Sequence, residues 1–344
     1  MFATHHSFLQ GEVAGDFVKR GSILILALWV IFMLAVLAVA VGAHVEGRLA
    51  LARRIEQRTI GYYAVRTGVE RGIAKLLQDT NGWDGLGESW SDNRADFSNV
   101  VSGAGAFSLV YSVERADGGS NVMFGLWDEQ GKIDLNKGRI ELMASLLEVA
   151  GGLSAEQAAR LADAVNTART RLVEKSPQIG AKTGWVDSRI EAGPLKSVDE
   201  LRWIKGMSPE VFDKIRDHVT VYGGRSVNLN TADRLVLLSL AKRAGGGTSK
   251  AIENFVRKIL QFRERGGIFK SLGTGLAEAL GEKTGLAEDE RPLLYGMAPY
   301  VTVTSSHFRG HAEGWLASGR ASESRRIDFV WNRKDRRIEF WHED

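Results

Sequence analysis

GSILILALWVIFMLAVLAVAVGA, residues 21–43, decides how the rest of the chain is read. The run holds 23 residues without a charge. At ~1.5 Å per residue a helix of that length reaches ~34 Å, enough to cross the ~30 Å hydrocarbon core of a bilayer. An ordinary secretory signal has an apolar core of about 7 to 15 residues followed by small residues at a cleavage site. Here the run continues into Glu46, Arg48, Arg53 and Arg54, so it reads as a retained helix and not only as a discarded signal. Lys19 and Arg20 directly precede it, which holds the N-terminus on the cytoplasmic side and sends everything after Ala43 across.

Helical periodicity persists beyond the apolar run. Val45, Leu49, Ala52, Ile55, Thr59, Tyr62, Val69, Ile73 and Leu76 recur mostly at three- or four-residue steps, and no proline occurs before Pro177. The spacing predicts one helix over residues 22–77, although Gly42, Gly47, Gly61, Gly68 and Gly72 each weaken it by up to ~1 kcal/mol relative to Ala. Packing must support its outer half. The 344 residues leave room for about two domains beyond the membrane segment. Charge is nearly balanced, with 45 Lys and Arg against 42 Asp and Glu, and there is no Cys. Disulfides, zinc-thiolate centres and thiol nucleophiles are thereby excluded.

NGWDGLGESWSDNRADFSN (81–99) reads as a surface loop. In AFSLVYSVE (106–114), Phe107, Leu109, Tyr111 and Val113 alternate onto one face; RADGGS (115–120) supplies turn residues and NVMFGLWDE (121–129) returns, which predicts a hairpin. The end of the chain repeats this character in YVTVTSS (300–306), AEGWLASG (312–319), RRIDFVWNR (325–333) and RRIEFWHE (336–343), read as four short strands. Between the two strand regions lies an internal repeat at an offset of 94 residues, GKIDLNKGRIELMASLLEVAG (131–151) against RSVNLNTADRLVLLSLAKRAG (225–245). GPLKSVDELRWIKGM follows the first copy and GGIFKSLGTGLAEALG the second, and the copies close with VTVY and VTVT. Two helical subdomains are therefore expected, 131–223 and 224–298. Asn136 and Asn230 are expected to cap the next helix through their side-chain oxygens.

Chemical signatures are sparse. WIKGMSPEVFDKIRDHV (203–219) looks like a helix-hairpin-helix, whose Gly turn can present N–H groups to a phosphate. Its second small residue is Ser208, however, and its surroundings are not basic. The second repeat is more basic, with Lys250, Arg257, Lys258 and Arg263 among its cations, and these four are read as a face for an acidic partner or secreted substrate. Nucleic acid is the runner-up ligand, which would make the chain a membrane-tethered DNA receptor. His307 and His311 in HFRGH have zincin spacing without the companion Glu, so a loop is expected there. GAKTG (180–184) and GGGTSK (245–250) do not match a phosphate loop and read as connections. Asp128, Glu129 and Asp134 are candidate ligands for a hard cation, with a solvated turn as the alternative. No nucleophile with an adjacent base is found, so no enzyme is expected; a periplasmic hydrolase on a membrane stalk is the third and weakest reading.

KRGSILILALWV, the long helix, the strand pair, DEQGKIDLN, KSVDELRWIKGM and VNLNTA occur in one order, and in this the chain resembles the general secretion pathway protein K family, the large minor pseudopilin of type II secretion. The resemblance runs from about Lys19 to the C-terminus. It implies an α+β pilin-like fold: a long N-terminal transmembrane helix on an antiparallel sheet, with a large all-α domain of two helix-hairpin-helix or SAM-like repeats inserted between strands. The implied segments are a prepilin-type leader (1–21), a membrane helix (22–45), pilin-like helix and first strands (46–130), repeats (131–223 and 224–298) and closing strands (299–344). It also implies cleavage by prepilin peptidase between Gly21 and Ser22, and a single-pass inner-membrane protein with its bulk in the periplasm. Implied partners are minor pseudopilins of types I and J, the major pseudopilin, the assembly platform and secreted substrates. Leu49, Ala52 and Ile55 would pack against other pseudopilins. At the fifth mature position, where most pilins carry Glu, stands Leu26, which suits a subunit at the tip with none ahead of it. The family is associated with calcium, but VNTARTRLVEKSPQIGAKTGW (165–185), acidic in many members, is basic here, so no cofactor is expected.

Overall fold

The computed structural model describes residues 15–114, 119–170, 193–245, 247–271, 290–318 and 324–344, with side chains from Ser22 onward. GAKTG and most of GGIFKSLGTGLAEALG fall outside these residues. The chain divides into two compact units, Met1–Thr59 and Ile60–Asp344. Helix α1 (Gly15–Gln78) contributes residues to both. In the first unit it is long and apolar enough to cross a membrane, and its large side chains from Ile23 to Val41 are all exposed. Such a surface is stable only in a non-aqueous surrounding or against other apolar helices.

In the second unit, the end of α1 lies on an antiparallel sheet. Its strands are β1 (Val100–Ser102), β2 (Gly105–Leu109), β5 (Trp127–Asp128), β10 (His307–Leu316), β11 (Arg325–Asn332) and β12 (Arg337–Glu343). They run in the order β1-β2-β10-β11-β12, with β5 alongside the first residues of β10. Val65, Val69, Ile73 and Leu76 of α1 form one core with Phe107, Leu109, Leu126, Phe308, Ile327 and Phe329. Glycines set how closely helix and sheet approach. A Cβ on Gly314 would stand 2.3 Å from the Val65 nitrogen and 2.6 Å from the Gly61 oxygen, and one on Gly68 would stand 2.8 Å from the Phe107 ring.

The hairpin forms, but not as one continuous ribbon. The chain leaves the main sheet at Val110, and β3 (Tyr111–Glu114) pairs only with β4 (Ser120–Met123). HFRGH is not a loop. Alternating burial of Phe308, Gly310 and Ala312 makes it the first half of β10. Residues 81–99 are not simply surface either, because Asp84, Glu88, Trp90 and Ser91 are buried, and the short helix α2 (Arg94–Phe97) closes the segment.

The described residues between β5 and β10 form a helical insert with its own core. It contains short β6 (Ile133–Asp134), α3 (Ile140–Val149), α4 (Ala155–Thr170), α5 (Pro209–Ile215) and β7 (Val219–Thr220), then β8 (Val227–Asn228), α6 (Arg234–Ala244), α7 (Ser249–Glu264), α8 (Arg291–Met297) and β9 (Val301–Thr302). In each half a parallel pair ties start to finish, β6 to β7 and β8 to β9. The repeat extends to single hydrogen bonds. Asn136 exchanges two bonds with the Leu195 backbone (2.8 and 2.9 Å), and Asn230 does the same with Phe269 (2.8 and 2.9 Å). Neither asparagine caps a helix: Arg139 precedes α3 without a side-chain cap, and Asp233 caps α6. Arg169 Nη1 donates to the carbonyls of Leu135 (3.1 Å) and Gly138 (2.7 Å), while its counterpart Arg263 donates to those of Leu229 and Ala232.

Gly314→Ala is expected to cost about 3 kcal/mol, because the added methyl meets backbone of α1 rather than yielding side chains. Gly42→Ala, where a Cβ finds nothing within 4 Å, is expected to stabilise the helix by up to ~1 kcal/mol. Urea denaturation of the full chain in detergent checks both.

Candidate functional site

Two features stand out: the exposed helix face of the first unit, and a buried polar junction in the second where the insert joins the sheet. Lys19, Arg20, Gly21 and Ser22 lie in the opening turns of α1. Leu26, Leu49 and Ile55 are 66%, 51% and 57% exposed, and Ala52 is exposed as well. At about 100° per residue, Leu49, Ala52 and Ile55 fall on one side of the helix, an apolar strip among charged neighbours.

The junction is centred on Asp128, the last residue of β5. Its Oδ2 accepts from Asn228 Nδ2 (2.9 Å), Thr231 Oγ1 (2.6 Å) and Ser305 Oγ (2.6 Å), and its Oδ1 from the Gln130 N–H (2.8 Å). One carboxylate thus holds segments about 100 to 177 positions apart. Burial dominates its chemistry and, with Asp84 nearby, pushes its pKa up to about 6 despite these donors. Its neighbour Glu129 goes the other way. Burial alone would raise it, but Lys132 and Arg309 together with the Thr220 hydroxyl outweigh that and hold it at about 2. Asp134 accepts from the N–H groups of Asn136 (2.7 Å), Lys137 (2.7 Å) and Gly223 (2.8 Å).

Asp128, Glu129 and Asp134 therefore do not form a solvated turn. All three are buried, and each is engaged by different protein donors. Beside them a cavity of about 360 Å³ is lined by Tyr111, Trp127, Lys132, His218 and Asp233 among others. Its polar groups are engaged internally: His218 Nδ1 meets Asp233 Oδ2 at 2.7 Å, and the Lys132 amine lies 4.0 Å from the centre of the Trp127 ring.

The four-residue basic face breaks up. Lys250 and Arg257 are exposed. Lys258 pairs with the buried Glu290, and Arg263 is turned inward onto the two carbonyls, where burial lowers its pKa to about 10. The helix-hairpin-helix segment forms a 3-10 turn (Val198–Trp203), a turn at Gly206 with φ +95°, and α5, whose Val211 N–H is taken by the Ser208 hydroxyl at 3.2 Å. His307 is a structural residue between Ser306 (2.9 Å) and Asn332 (3.2 Å). Sequence reasoning passed over Asp79, Asp84, Glu88 and Arg333. Arg333 reaches Asp79 (3.1 Å) and Asp84 (2.7 Å). The available signal was three carboxylates within ten residues of a Gly-rich loop flanked by Trp83 and Trp90.

An apolar N-terminal helix, an antiparallel sheet packed on its last turns and helices confined to one side branch define the class: a pilin-like α+β protein with a helical insert. Residues 124–224 match the family described as type II secretion system (T2SS), protein K, first domain. A chain in the crystal structure of the GspK-GspI-GspJ complex from the enterotoxigenic Escherichia coli type 2 secretion system shares the fold, with a TM-score of 0.55 at 12% identity, over 88% of this chain and 99% of that one. No curated protein sequence matches. The family match covers residues 124–224, and the shared fold extends over most of the chain.

Glu129 and Asp128 make opposite contributions to acid stability. A carboxylate held at about 2 contributes stability that is complete above its ordinary value of 4.5 and is lost as pH falls toward 2. One raised to about 6 makes stability decline as pH climbs from about 4 to 6. Melting curves across pH 2–7 are expected to flatten between pH 4.5 and 2 in Glu129→Gln, and between pH 4 and 6 in Asp128→Asn.

Proposed function

We propose that this protein is a minor pseudopilin of type II secretion that sits with partners of types I and J at the pseudopilus tip and helps start pseudopilus assembly. A pseudopilus role is supported by the protein K match and the shared fold. The observation that carries the reading further is the helix of the first unit, which keeps its apolar side chains outward from Ile23 to Val41 and again at Leu49, Ile55 and Ala52. It is a surface made to be covered, first by lipid and then by other helices. Absence of a carboxylate at Leu26 removes the group that would neutralise the amine of a subunit ahead, which fits an end position. The bulky insert fits it too, since a side branch that size obstructs packing within a filament.

On this reading the precursor spans the inner membrane once, with its leader in the cytoplasm and its bulk in the periplasm. Prepilin peptidase cuts between Gly21 and Ser22, and the mature helix passes through the assembly platform to meet the major pseudopilin. The protein works by binding and not by catalysis, and the helix-hairpin-helix-like repeats serve as protein-facing modules. Expressed with and without a prepilin peptidase, membrane-extracted protein is expected to begin at Ser22 only when the peptidase is present; an uncut chain refutes the pathway. Charged substitutions Leu49→Glu or Ile55→Lys are expected to reduce co-purification of the type I and J partners at least tenfold. Unchanged recovery removes that face from the interface.

A further inference from the structure

Where the chain leaves the main sheet at Val110, it leaves one strand edge uncovered. β3 is hydrogen-bonded to β4 along one side, and among the described residues its other side pairs with no strand. Free N–H and C=O groups along such an edge are a template for a further strand, which folded proteins ordinarily cover or interrupt. Here the edge faces a cavity. Tyr111, Ser112 and Val113 all line the space of about 360 Å³ beside Trp127, and no residue of β4 does. Successive side chains of a strand point to opposite faces, so a space that touches three in a row runs along the edge and not over one face. Its volume lies within the range of about 300–1,000 Å³ typical of ligand pockets.

The opposite wall comes from the insert, through Lys132, Asp217, His218 and Asp233. Two of these keep bonding capacity to spare. The Lys132 side chain is 12% exposed, and its amine rests over the Trp127 ring at 4.0 Å with the Glu129 carboxylate at 3.8 Å. Neither contact is a hydrogen bond, since the first is to a ring face and the second is too long. The three N–H donors of the amine are therefore left for an acceptor in the cavity. Asp217 is the other: its side chain is 75% exposed, and its ion pair with Arg216 Nε is stretched to 3.8 Å. Asp233, by contrast, is used on both oxygens, by the Val236 N–H (2.9 Å) and by His218 (2.7 Å). The wall thus offers a donor for a carbonyl and, at its exposed side, a carboxylate for a cation.

We propose that this cavity receives an extended, basic segment of another protein, which adds to β3 as a third strand of the hairpin sheet. Backbone groups of the segment pair with the free edge of β3, one of its carbonyls accepts from the Lys132 amine, and a Lys or Arg side chain meets Asp217. A strand fits better than a compact ligand because the unpaired groups form a row at a strand rise of ~3.3 Å per residue. Strand addition takes its affinity from main-chain bonds and its selectivity from the side-chain pockets alongside. Every described strand of this chain is already held in a ladder of its own, so the occupant comes from a different molecule. The site lies wholly in the second unit, and it gives the protein a way of holding a partner that does not use the helix of the first.

Three fluorescein-labelled pentapeptides test it against the full-length protein in detergent: Thr-Val-Lys-Val-Thr, whose β-branched residues favour an extended chain, the same peptide with Glu at the centre, and the Lys peptide N-methylated at alternate amides so that one edge cannot pair. Fluorescence anisotropy is expected to show the Lys peptide binding with a Kd under about 1 mM, the Glu peptide about fivefold more weakly, and the methylated peptide about tenfold more weakly. Amide hydrogen exchange in Tyr111–Glu114 is expected to slow about tenfold with the Lys peptide and to stay unchanged with the methylated one. Asp217→Asn, at an exposed position, is expected to remove the preference for Lys over Glu. Lys132→Met keeps the apolar stem over Trp127 and is expected to weaken all binding about fivefold; should it fail to fold, Asp217→Asn alone decides the charge pairing. No binding of the Lys peptide, equal binding of the methylated peptide, or a Lys preference that survives Asp217→Asn overturns the proposal. So does protection of the β3 amides without peptide that grows with protein concentration, which assigns the edge to a second copy of the chain.

Discussion

Asp128 carries more of this architecture than its size suggests. A charged carboxylate is costly to bury, and the cost is tolerable only when donors converge on it. Those donors are Asn228 from the second repeat, Thr231 behind it and Ser305 from the segment that returns to the sheet. Asn228 and Thr231 open the second repeat and Ser305 lies in the returning segment, so the network closes only when that repeat and that segment are both in place. Polar networks of this kind add little net stability but penalise every partly formed alternative. The core of the sheet and the core of the insert are thereby locked to one arrangement through hydrogen bonds, where apolar contact alone would tolerate sliding.

Much of this was legible in the sequence, for identifiable reasons. A long uncharged run and an unbroken helical period need no tertiary information, and α1 ends within a residue of where the pattern ends. The internal repeat was visible because the same backbone clamps recur. Asn136 and Asn230, Arg169 and Arg263 keep their identity since each answers the same pair of backbone groups. What the repeat could not reveal is what those residues do. Asparagine before a helix is a cap by local logic, and here it reaches instead to a segment far along the chain.

The residues proposed for partners and ions were harder. Arg263 looks like surface charge among the basic residues of its repeat and proves to be interior, where its Nη1 donates to the carbonyls of Leu229 and Ala232. Asp128, Glu129 and Asp134 are close in sequence but point into separate networks, since Asp128 ends β5, Glu129 opens a 3-10 turn and Asp134 belongs to β6. The acidic loop after α1 was passed over for the converse reason. Gly, Asn and Asp signal a turn, and nothing local tells that the turn folds inward beneath Trp90.

The insert leaves and rejoins the sheet through neighbouring strands: Asp128 of β5 and Phe308 of β10 stand opposite one another in an antiparallel ladder. To the sheet, then, the whole two-repeat insert is equivalent to the loop of a hairpin. Its length and content are topologically free. Beyond the residues that hold Asp128, such a cassette can change in length without disturbing the register of a single strand, so the insert is able to change at a different pace from the scaffold that carries it.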